Sequence, residues 1–221
     1  MHIPDGYLGP KTFITLYAIA LGVWALMMRK IKERIHTLQL PLISMGGAFS
    51  FIIMMINFPV PGGSSMHIIG AGLLALVIGP FPTVLALSVC LAIQAFLFGD
   101  GGITALGANC FNIGIACPLT TYYMNKLLRK IPFLRYYVSY AIAVYAGVAA
   151  SALLAGIELG LQPLLEMDQA GNPLYCPYPL QVTVPAMLIS HMLFVGPVEV
   201  IVSLLSIKFL IKSGMIKGLY E

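Results

Sequence analysis

The stretch His67–Phe98 reads HIIGAGLLALVIGPFPTVLALSVCLAIQAFLF, and it decides how many helices the chain can form. It is apolar almost throughout, but Gly79-Pro80-Phe81-Pro82 stands near its middle. Proline ends or kinks a helix, and glycine lowers helix stability. The stretch therefore forms either one long helix or two short ones, and the charged residues on its two sides distinguish these alternatives.

The whole chain is as apolar as this stretch. Of its 221 residues, 59% are hydrophobic and only 9% are charged, and the mean hydropathy is +0.93. These values are typical of an integral membrane protein and not of a soluble domain. The length predicts a single membrane domain, residues 1–221. The N-terminus lacks a basic region followed by an apolar core and a cleavage site, so we expect it to be retained.

Apolar segments bounded by glycine, proline or basic residues predict an all-α integral membrane protein with a bundle of seven transmembrane helices. The predicted helices cover residues 13–28, 40–58, 67–79, 82–98, 104–125, 136–161 and 179–209. They follow an N-terminal segment of residues 1–10, which we expect to bind metal.

Lysine and arginine residues predict the orientation. Eleven of the twelve fall into three groups: Arg29, Lys30, Lys32 and Arg34; Lys126, Arg129, Lys130 and Arg135; and Lys208, Lys212 and Lys217. With two helices in His67–Phe98 all three groups share one face, and only Lys11 lies on the other. One helix would split the groups between the faces. Because cytoplasmic loops carry the excess of lysine and arginine, we predict two helices there, an outside N-terminus and a cytoplasmic C-terminus.

The first two residues can form most of a metal site by themselves. In Met1-His2 the α-amine, the deprotonated amide nitrogen of His2 and its imidazole can close fused chelate rings around one ion. Square-planar nitrogen coordination suits Ni(II) or Cu(II), whereas tetrahedral mixed sites suit zinc. A fourth nitrogen has three possible histidine donors: His36, His67 and His191. In an arbitrary protein the second residue would more often be disordered.

His67 is the histidine that this topology places on the same face as the N-terminus. It follows a run of proline and glycine, residues 59–63, that would fix a loop and allow another backbone to approach. A lone histidine at a helix start is more often a capping or interfacial residue. We place His36 in the basic cytoplasmic loop. His191 and Glu199 lie eight residues apart in the last helix, and we expect them to be structural or relay groups that are not level with the N-terminus.

Further polar residues on this face are candidates to hold the metal-binding segment and to orient a ligand imidazole. They are Asp5, Ser65, Asp100, Asn109 and Asn112. Asn109 and Asn112 are three residues apart and share a helix face. The alternative is that they satisfy backbone groups between helices. Acidic residues here would also raise the local concentration of cations.

Four motifs spread over essentially the whole chain are specific in combination. They are Met-His-Ile-Pro-Asp-Gly at 1–6, Pro-x-Pro-Gly-Gly-x-x-x-His at 59–67, Phe-Gly-Asp-Gly-Gly-x-Thr-x-Leu-Gly-Ala-Asn-x-x-Asn at 98–112 and Gly-x-x-Glu at 196–199. Together they resemble the CbiM/NikM family, the substrate-binding membrane subunits of energy-coupling-factor cobalt and nickel importers.

This resemblance implies a seven-helix bundle with the N-terminal segment tucked into it. The implied ligands are the Met1 amine, the amide and ring nitrogens of His2, and His67. The implied partners are a transmembrane coupling subunit, two cytoplasmic ATPase subunits and a small accessory membrane subunit, all in the cell membrane of a prokaryote. The partners would hydrolyse ATP, so the chain itself would not be an enzyme. Its substrate would be Ni(II) or Co(II), and the Met-His start with Pro4 looks closer to the nickel branch.

Two other functions remain open on the residues alone. A stand-alone secondary transporter or channel for a divalent cation would favour paired acids within the membrane, and only Glu199 clearly qualifies. An intramembrane metalloprotease would need His-Glu-x-x-His, which the sequence lacks. Without a P-loop motif, the energy for transport must come from an ion gradient or a partner. The basic residues serve orientation, so no nucleic-acid partner is indicated.

Overall fold

The computed structural model describes residues 1–34, 40–60 and 64–214, and this part of the chain is mostly helical. The expectations for His36, for the glycines of the 59–63 run and for Lys217 lie outside the described residues.

The described part of the chain contains ten α-helices. They are α1 (Pro10–Arg34), α2 (Leu40–Met54), α3 (Ala71–Val77), α4 (Pro80–Ile93), α5 (Leu106–Asn109), α6 (Cys117–Leu128), α7 (Tyr136–Gly160), α8 (Gln162–Leu165), α9 (Leu180–Ser190) and α10 (Gly196–Lys212). Strands β1 (Asn57–Val60) and β2 (Ser64–His67) form an antiparallel hairpin between α2 and α3. Three π-helical segments extend or join helices: Gln94–Phe98, Cys110–Ala116 and His191–Val195.

Several of these helices suit a lipid environment. Four stretches of the described chain are long and apolar enough to cross a membrane: Pro10–Arg29, Pro80–Phe98, Tyr136–Leu165 and Leu180–Lys212. Large apolar side chains are exposed on their outer faces, among them Leu26 and Leu205. Such exposure is unfavourable in water and favourable in lipid. The chain is therefore a mostly helical protein with several membrane helices.

The stretch His67–Phe98 forms two helices and not one. Helix α3 ends at Val77, Gly79 has a φ of 89°, and Pro80 begins α4. A positive φ is readily adopted only by glycine, and proline is well suited to the first helical position. Helix α3 has seven residues and is about 10 Å long, too short to cross a hydrocarbon layer of about 30 Å. It is buried among the other helices.

Two predicted helix boundaries beside the hairpin are wrong, and the helices predicted over 104–125 and 179–209 are interrupted by π-helical segments. The helix predicted over 40–58 ends at Met54, and the helix predicted over 67–79 begins only at Ala71. The residues between them pair instead as β1 and β2, with Asn57 opposite His67. The helix predicted over 179–209 is interrupted by the π-helical segment His191–Val195. Pro197 follows this segment, and its missing N–H breaks the α-helical hydrogen-bond pattern there.

The N-terminal segment lies inside the bundle. Met1, Ile3 and Leu8 are at most 2% exposed and belong to the main hydrophobic core. This core also contains Met54 at the end of α2 and Ile69 just before α3. Burial of these apolar side chains brings the first two residues of the chain against the β-hairpin.

Candidate metal centre

Strand β2 contacts both of the first two residues. The Met1 amine donates a hydrogen bond to the Ser65 carbonyl, and the Ser64 hydroxyl donates one to the His2 carbonyl over 2.9 Å. Met1 is fully buried and His2 is 2% exposed. The predicted contribution of Ser65 thus comes from its main chain, while its hydroxyl is buried without a partner among the described residues.

Asn109 holds the next residue from the other side. Its Oδ1 accepts the Ile3 N–H over 2.8 Å, and its Nδ2 donates to the carbonyls of Ile3 (3.0 Å) and Gly101 (2.5 Å). This pairing of a side-chain amide with a main-chain amide fixes the direction of the chain immediately after His2. Gly101 has a φ of 82°, and a Cβ there would lie 3.2 Å from Cγ of His2. The close approach therefore requires glycine at 101.

The Asp5 carboxylate binds the turn at Ile103 and Thr104. Its Oδ2 accepts the Ile103 N–H over 3.0 Å, and its Oδ1 accepts the N–H (2.7 Å) and hydroxyl (2.5 Å) of Thr104. Partial burial alone would raise the pKa of Asp5, but these hydrogen bonds outweigh it and lower the pKa. The carboxylate is thus an anchor for the segment.

The rings of His2 and His67 are in contact. Their centroids lie 4.3 Å apart with an angle of 36° between the planes, and His67 is 2% exposed. Nδ1 of His67 lies 3.3 Å from the Ile68 carbonyl oxygen. A proton on Nδ1 leaves the lone pair on Nε2, which has no hydrogen-bond partner among the described residues. Nδ1 of His2, the ring nitrogen that can close a chelate ring with its own amide nitrogen, also has none among the described residues. Buried polar atoms without partners are uncommon, and here two occur in adjacent rings.

Asp100 provides the negative charge of the site. Its Oδ1 lies 3.0 Å from Nδ1 of His2, and its Oδ2 accepts a hydrogen bond from Asn57 over 3.3 Å. Partial burial alone would raise the pKa of Asp100. Its contact with His2, the hydrogen bond from Asn57 and the nearby N-terminal amine lower the pKa overall.

Burial keeps the candidate nitrogen ligands neutral. It lowers the pKa of the Met1 amine from 8.0 to about 4, against the opposing charge of Asp100. Burial also lowers the pKa of His2, and it lowers the pKa of His67 well below 6.5. Metals bind the unprotonated forms of amines and imidazoles. At neutral pH these three nitrogens are therefore already in the form that coordinates.

The expected positions of His191 and Glu199 are wrong. His191 lies close enough to the N-terminal amine and to His67 to interact with them electrostatically, and it faces the main chain of Ser65. Glu199 accepts hydrogen bonds from the main chain just after His67. The interruption between α9 and α10 brings both side chains towards the hairpin. The apolar sequence of these helices does not reveal the interruption.

Asn112 and Gln162 also differ from expectation. The Asn112 amide donates to Glu158 over 2.7 Å, so its hydrogen bond goes to α7 and not to the N-terminal segment. Gln162 was not a candidate, yet its Oε1 accepts the Gly9 N–H over 2.9 Å and thereby holds the far end of the segment. A buried glutamine at the end of a long apolar helix was the available signal.

Among the described residues, no group of three or more His, Cys, Asp or Glu side chains is arranged to hold a metal. The candidate site at Met1, His2 and His67 is not a cluster of this type, because two of its four candidate nitrogens are main-chain atoms, the Met1 amine and the His2 amide. Such a set of nitrogens, buried in an apolar helical bundle, is suited to bind a transition-metal ion.

Comparison with known proteins identifies the family. The profile of the CbiM family, described as the cobalt uptake substrate-specific transmembrane region, matches residues 2–215, and the chain belongs to this family. The resemblance found in the sequence motifs is thereby confirmed.

Relatives and solved structures agree with this assignment. The chain is 46% identical over 206 residues to the fused nickel transport protein NikMN of Rhodobacter capsulatus, covering 92% of the chain and 59% of that relative. Two crystal structures of a transition metal transporter, one of them truncated, are 42% and 43% identical to it. They superpose with TM-scores of 0.94 and 0.93, and cover 98% and 96% of the chain and 95% and 99% of theirs.

Proposed function

We propose that this protein is the substrate-binding membrane subunit of an ATP-driven importer of the energy-coupling-factor type, with Ni(II) or Co(II) as its substrate. Four nitrogens in a plane hold the ion: the Met1 amine, the amide and ring nitrogens of His2, and the His67 ring. The observation that carries the proposal is the burial of the N-terminal amine beside two contacting imidazoles. The family membership and the name of the fused nickel transport relative support it.

The charges near the site support a divalent ion. Coordination removes the proton from the His2 amide, which contributes one negative charge, and Asp100 contributes a second at 3.0 Å from the His2 ring. These two charges balance the two positive charges of the ion. A buried charge is tolerated only when it is paired, so the site favours divalent over monovalent cations.

The proposed topology is a bundle of seven helices, of which α3 is short and buried, with the N-terminal segment at the extracellular end of the bundle. Two basic side chains support it, since Arg129 stacks over Tyr136 and Lys208 stacks over Tyr137. The ends of α6 and α10 thus share the end of the bundle where α7 begins. The N-terminal segment lies at the other end of α7, where Gln162 binds it. The excess of basic residues at one end favours the cytoplasm for that end.

The proposed partners are a transmembrane coupling subunit, two ATPase subunits and a small accessory membrane subunit, in the cell membrane of a prokaryote. A stand-alone secondary transporter would need an acid free to exchange ions. Both carboxylate oxygens of Glu199 instead accept main-chain hydrogen bonds. Nickel uptake into vesicles should therefore require ATP and the partner subunits, and uptake by this chain alone down a gradient would contradict the proposal.

Substitution of the two histidines tests the site directly. Nickel binding by the purified protein should be strongly weakened in His2→Ala and in His67→Ala. His2→Ala should be the more damaging, because it removes a chelate ring as well as a donor. His36→Ala, two residues after Arg34 in the sequence, is the control and should bind as the unmodified protein does. Stoichiometric high-affinity nickel in His67→Ala would refute His67 as the fourth ligand.

A further inference from the structure

Glu199 makes two hydrogen bonds that its place in the sequence does not suggest. It lies in the first turn of α10 and is 1% exposed. Its Oε2 accepts the N–H of Ile69 and its Oε1 accepts the N–H of Gly70, each over 2.7 Å. Both acceptor oxygens of one buried carboxylate are thus used by two consecutive main-chain groups, 130 and 129 residues away in the sequence.

The two N–H groups belong to the connection between β2 and α3. Residues 68–70 lie outside both elements, so neither the hairpin nor the helix supplies their acceptors. Gly70 has a φ of 75°, and a Cβ there would lie 3.0 Å from Ile53 and Phe49. The main chain therefore passes this point in a conformation that only glycine adopts easily. A buried N–H in such a turn needs a partner, and Glu199 is that partner.

His67 lies between two fixed points. At the end of strand β2, His67 is paired with Asn57 across the hairpin. On the other side, two residues later, Glu199 holds Ile69. Hydrogen bonds to a carboxylate are shorter and stronger than those between neutral groups. The position of the His67 ring against His2 therefore depends on a side chain of α10.

We infer that Glu199 is a positioning residue for metal binding: through Ile69 and Gly70 it holds the His67 imidazole where it completes the coordination of the ion. This inference rests on the proposed function, in which His67 supplies the fourth nitrogen. Each oxygen of Glu199 accepts a main-chain hydrogen bond, so we assign Glu199 to positioning the loop and not to the ligand set. Without it, Met1 and His2 still present three nitrogens and the fourth is misplaced.

Glu199→Gln tests this inference with Ni(II) alone as the ligand. The glutamine keeps the shape and one acceptor oxygen, but its NH2 group faces a main-chain N–H. We expect nickel affinity to fall by about 10–100-fold, as for other groups that orient metal ligands. Glu158→Gln is the matched control. Glu158 is also buried, and a glutamine oxygen can still accept the hydrogen bond from Asn112. Its nickel affinity should not change.

The absorption spectrum of the nickel-loaded protein separates positioning from general destabilisation. A planar centre of four nitrogens absorbs in the blue, and replacement of one nitrogen by water moves the band to longer wavelength. The spectrum of Glu199→Gln should shift towards that of His67→Ala. Glu199→Asp keeps the charge on a shorter side chain and should lie between the unmodified protein and Glu199→Gln. If Glu199→Gln does not fold, the absorption spectrum of Glu199→Asp is compared with that of His67→Ala instead.

A double-mutant cycle completes the test. If Glu199 acts only through His67, Glu199→Gln should not weaken nickel binding further in the His67→Ala background. Additive losses would overturn the inference. So would unchanged affinity and spectrum in Glu199→Gln while His67→Ala has lost binding. If His67→Ala binds nickel like the unmodified protein, the proposed site fails first, so the two failures are distinguishable.

Discussion

The imidazole rings of His2 and His67 lie 4.3 Å apart, although 64 residues separate them in the sequence. The contact exists because the N-terminal segment is buried against a hairpin whose last residue is His67. Neither ring reaches water, and each has a nitrogen without a hydrogen-bond partner in the described part of the chain. An ion that binds between the chain start and the hairpin would satisfy both nitrogens at once.

Extension of the N-terminus should abolish high-affinity nickel binding. Met1 is fully buried and its amine contacts Ser65, so an extension of several residues converts this amine into a peptide nitrogen and moves the new chain start away from the site. The amine can then no longer close a five-membered chelate ring with the amide nitrogen of His2. Equilibrium dialysis with nickel measures the loss, and mass spectrometry verifies that the extension is intact. The same residues added at the C-terminus serve as the control, and full affinity in the extended protein would contradict the prediction.

Asp100→Asn should weaken nickel binding by about 10–100-fold. The substitution keeps the size of the side chain but removes the negative charge beside His2, so the buried ion is no longer balanced. Asp168→Asn is the control, because Asp168 is exposed and its hydrogen bonds go to Ala170 and Asn172 in its own loop. Isothermal titration calorimetry gives both affinities. Equal effects of the two substitutions would show that Asp100 acts only through the general acidity of this face.

Gly101→Ala should weaken nickel binding by about tenfold or more, whereas Gly99→Ala should not. Both glycines have positive φ angles, 82° and 67°, so alanine costs a similar backbone strain of about 1 kcal/mol at each. Only at 101 would the new Cβ meet His2 and Asn109, while at 99 it would meet open space. The pair thus isolates the contact with His2 from strain in the turn. Equal nickel dissociation constants in the two variants would contradict the assignment.

Nickel binding at pH 7 should release about one proton per ion. Burial lowers the pKa of the Met1 amine to about 4 and also lowers those of His2 and His67, so these nitrogens are neutral before the ion arrives. Only the His2 amide proton then leaves. Just below pH 7, affinity should fall by about tenfold per pH unit, because binding releases one proton per ion.

Binding enthalpies in buffers with different heats of ionisation count these protons. An amine with its ordinary pKa of 8.0 would be mostly protonated at pH 7 and would add nearly one proton more. Release of about two protons per ion would therefore show that the amine is not buried before nickel binds.

The sequence supplied the chelating atoms because they are adjacent in it. Met1 and His2 can close rings on one ion whatever the rest of the fold, and helix boundaries at Gly79-Pro80 follow from local conformational preference. The positive-inside rule placed His67 on the face of the N-terminus, where the structure brings the two rings together. These inferences need no knowledge of distant contacts.

The hairpin and the roles of Glu199 and Gln162 could not be predicted, because they depend on contacts between residues far apart in the sequence. The sequence predicts a helix end where strand β1 forms, because four residues such as Asn57–Val60 show no useful periodicity. The role of Glu199 depends on a partner 130 residues earlier, and that of Gln162 on one 153 residues earlier. No local pattern reports such pairs. Glycine and glutamate at 196 and 199 stood out as a motif, but the motif alone does not say what the carboxylate binds.

The sequence separation of these hydrogen bonds also sets the order in which the molecule can be built. Ile3 cannot meet its partner until Asn109 has been synthesised, and Gly9 must wait for Gln162 and the Ile69 turn for Glu199. Residues 1–9 are therefore fixed in place only after much of the later chain has been made. A chain that stops before α10 carries Met1-His2 without the contacts that Glu199 makes, so a complete site requires that α10 is packed.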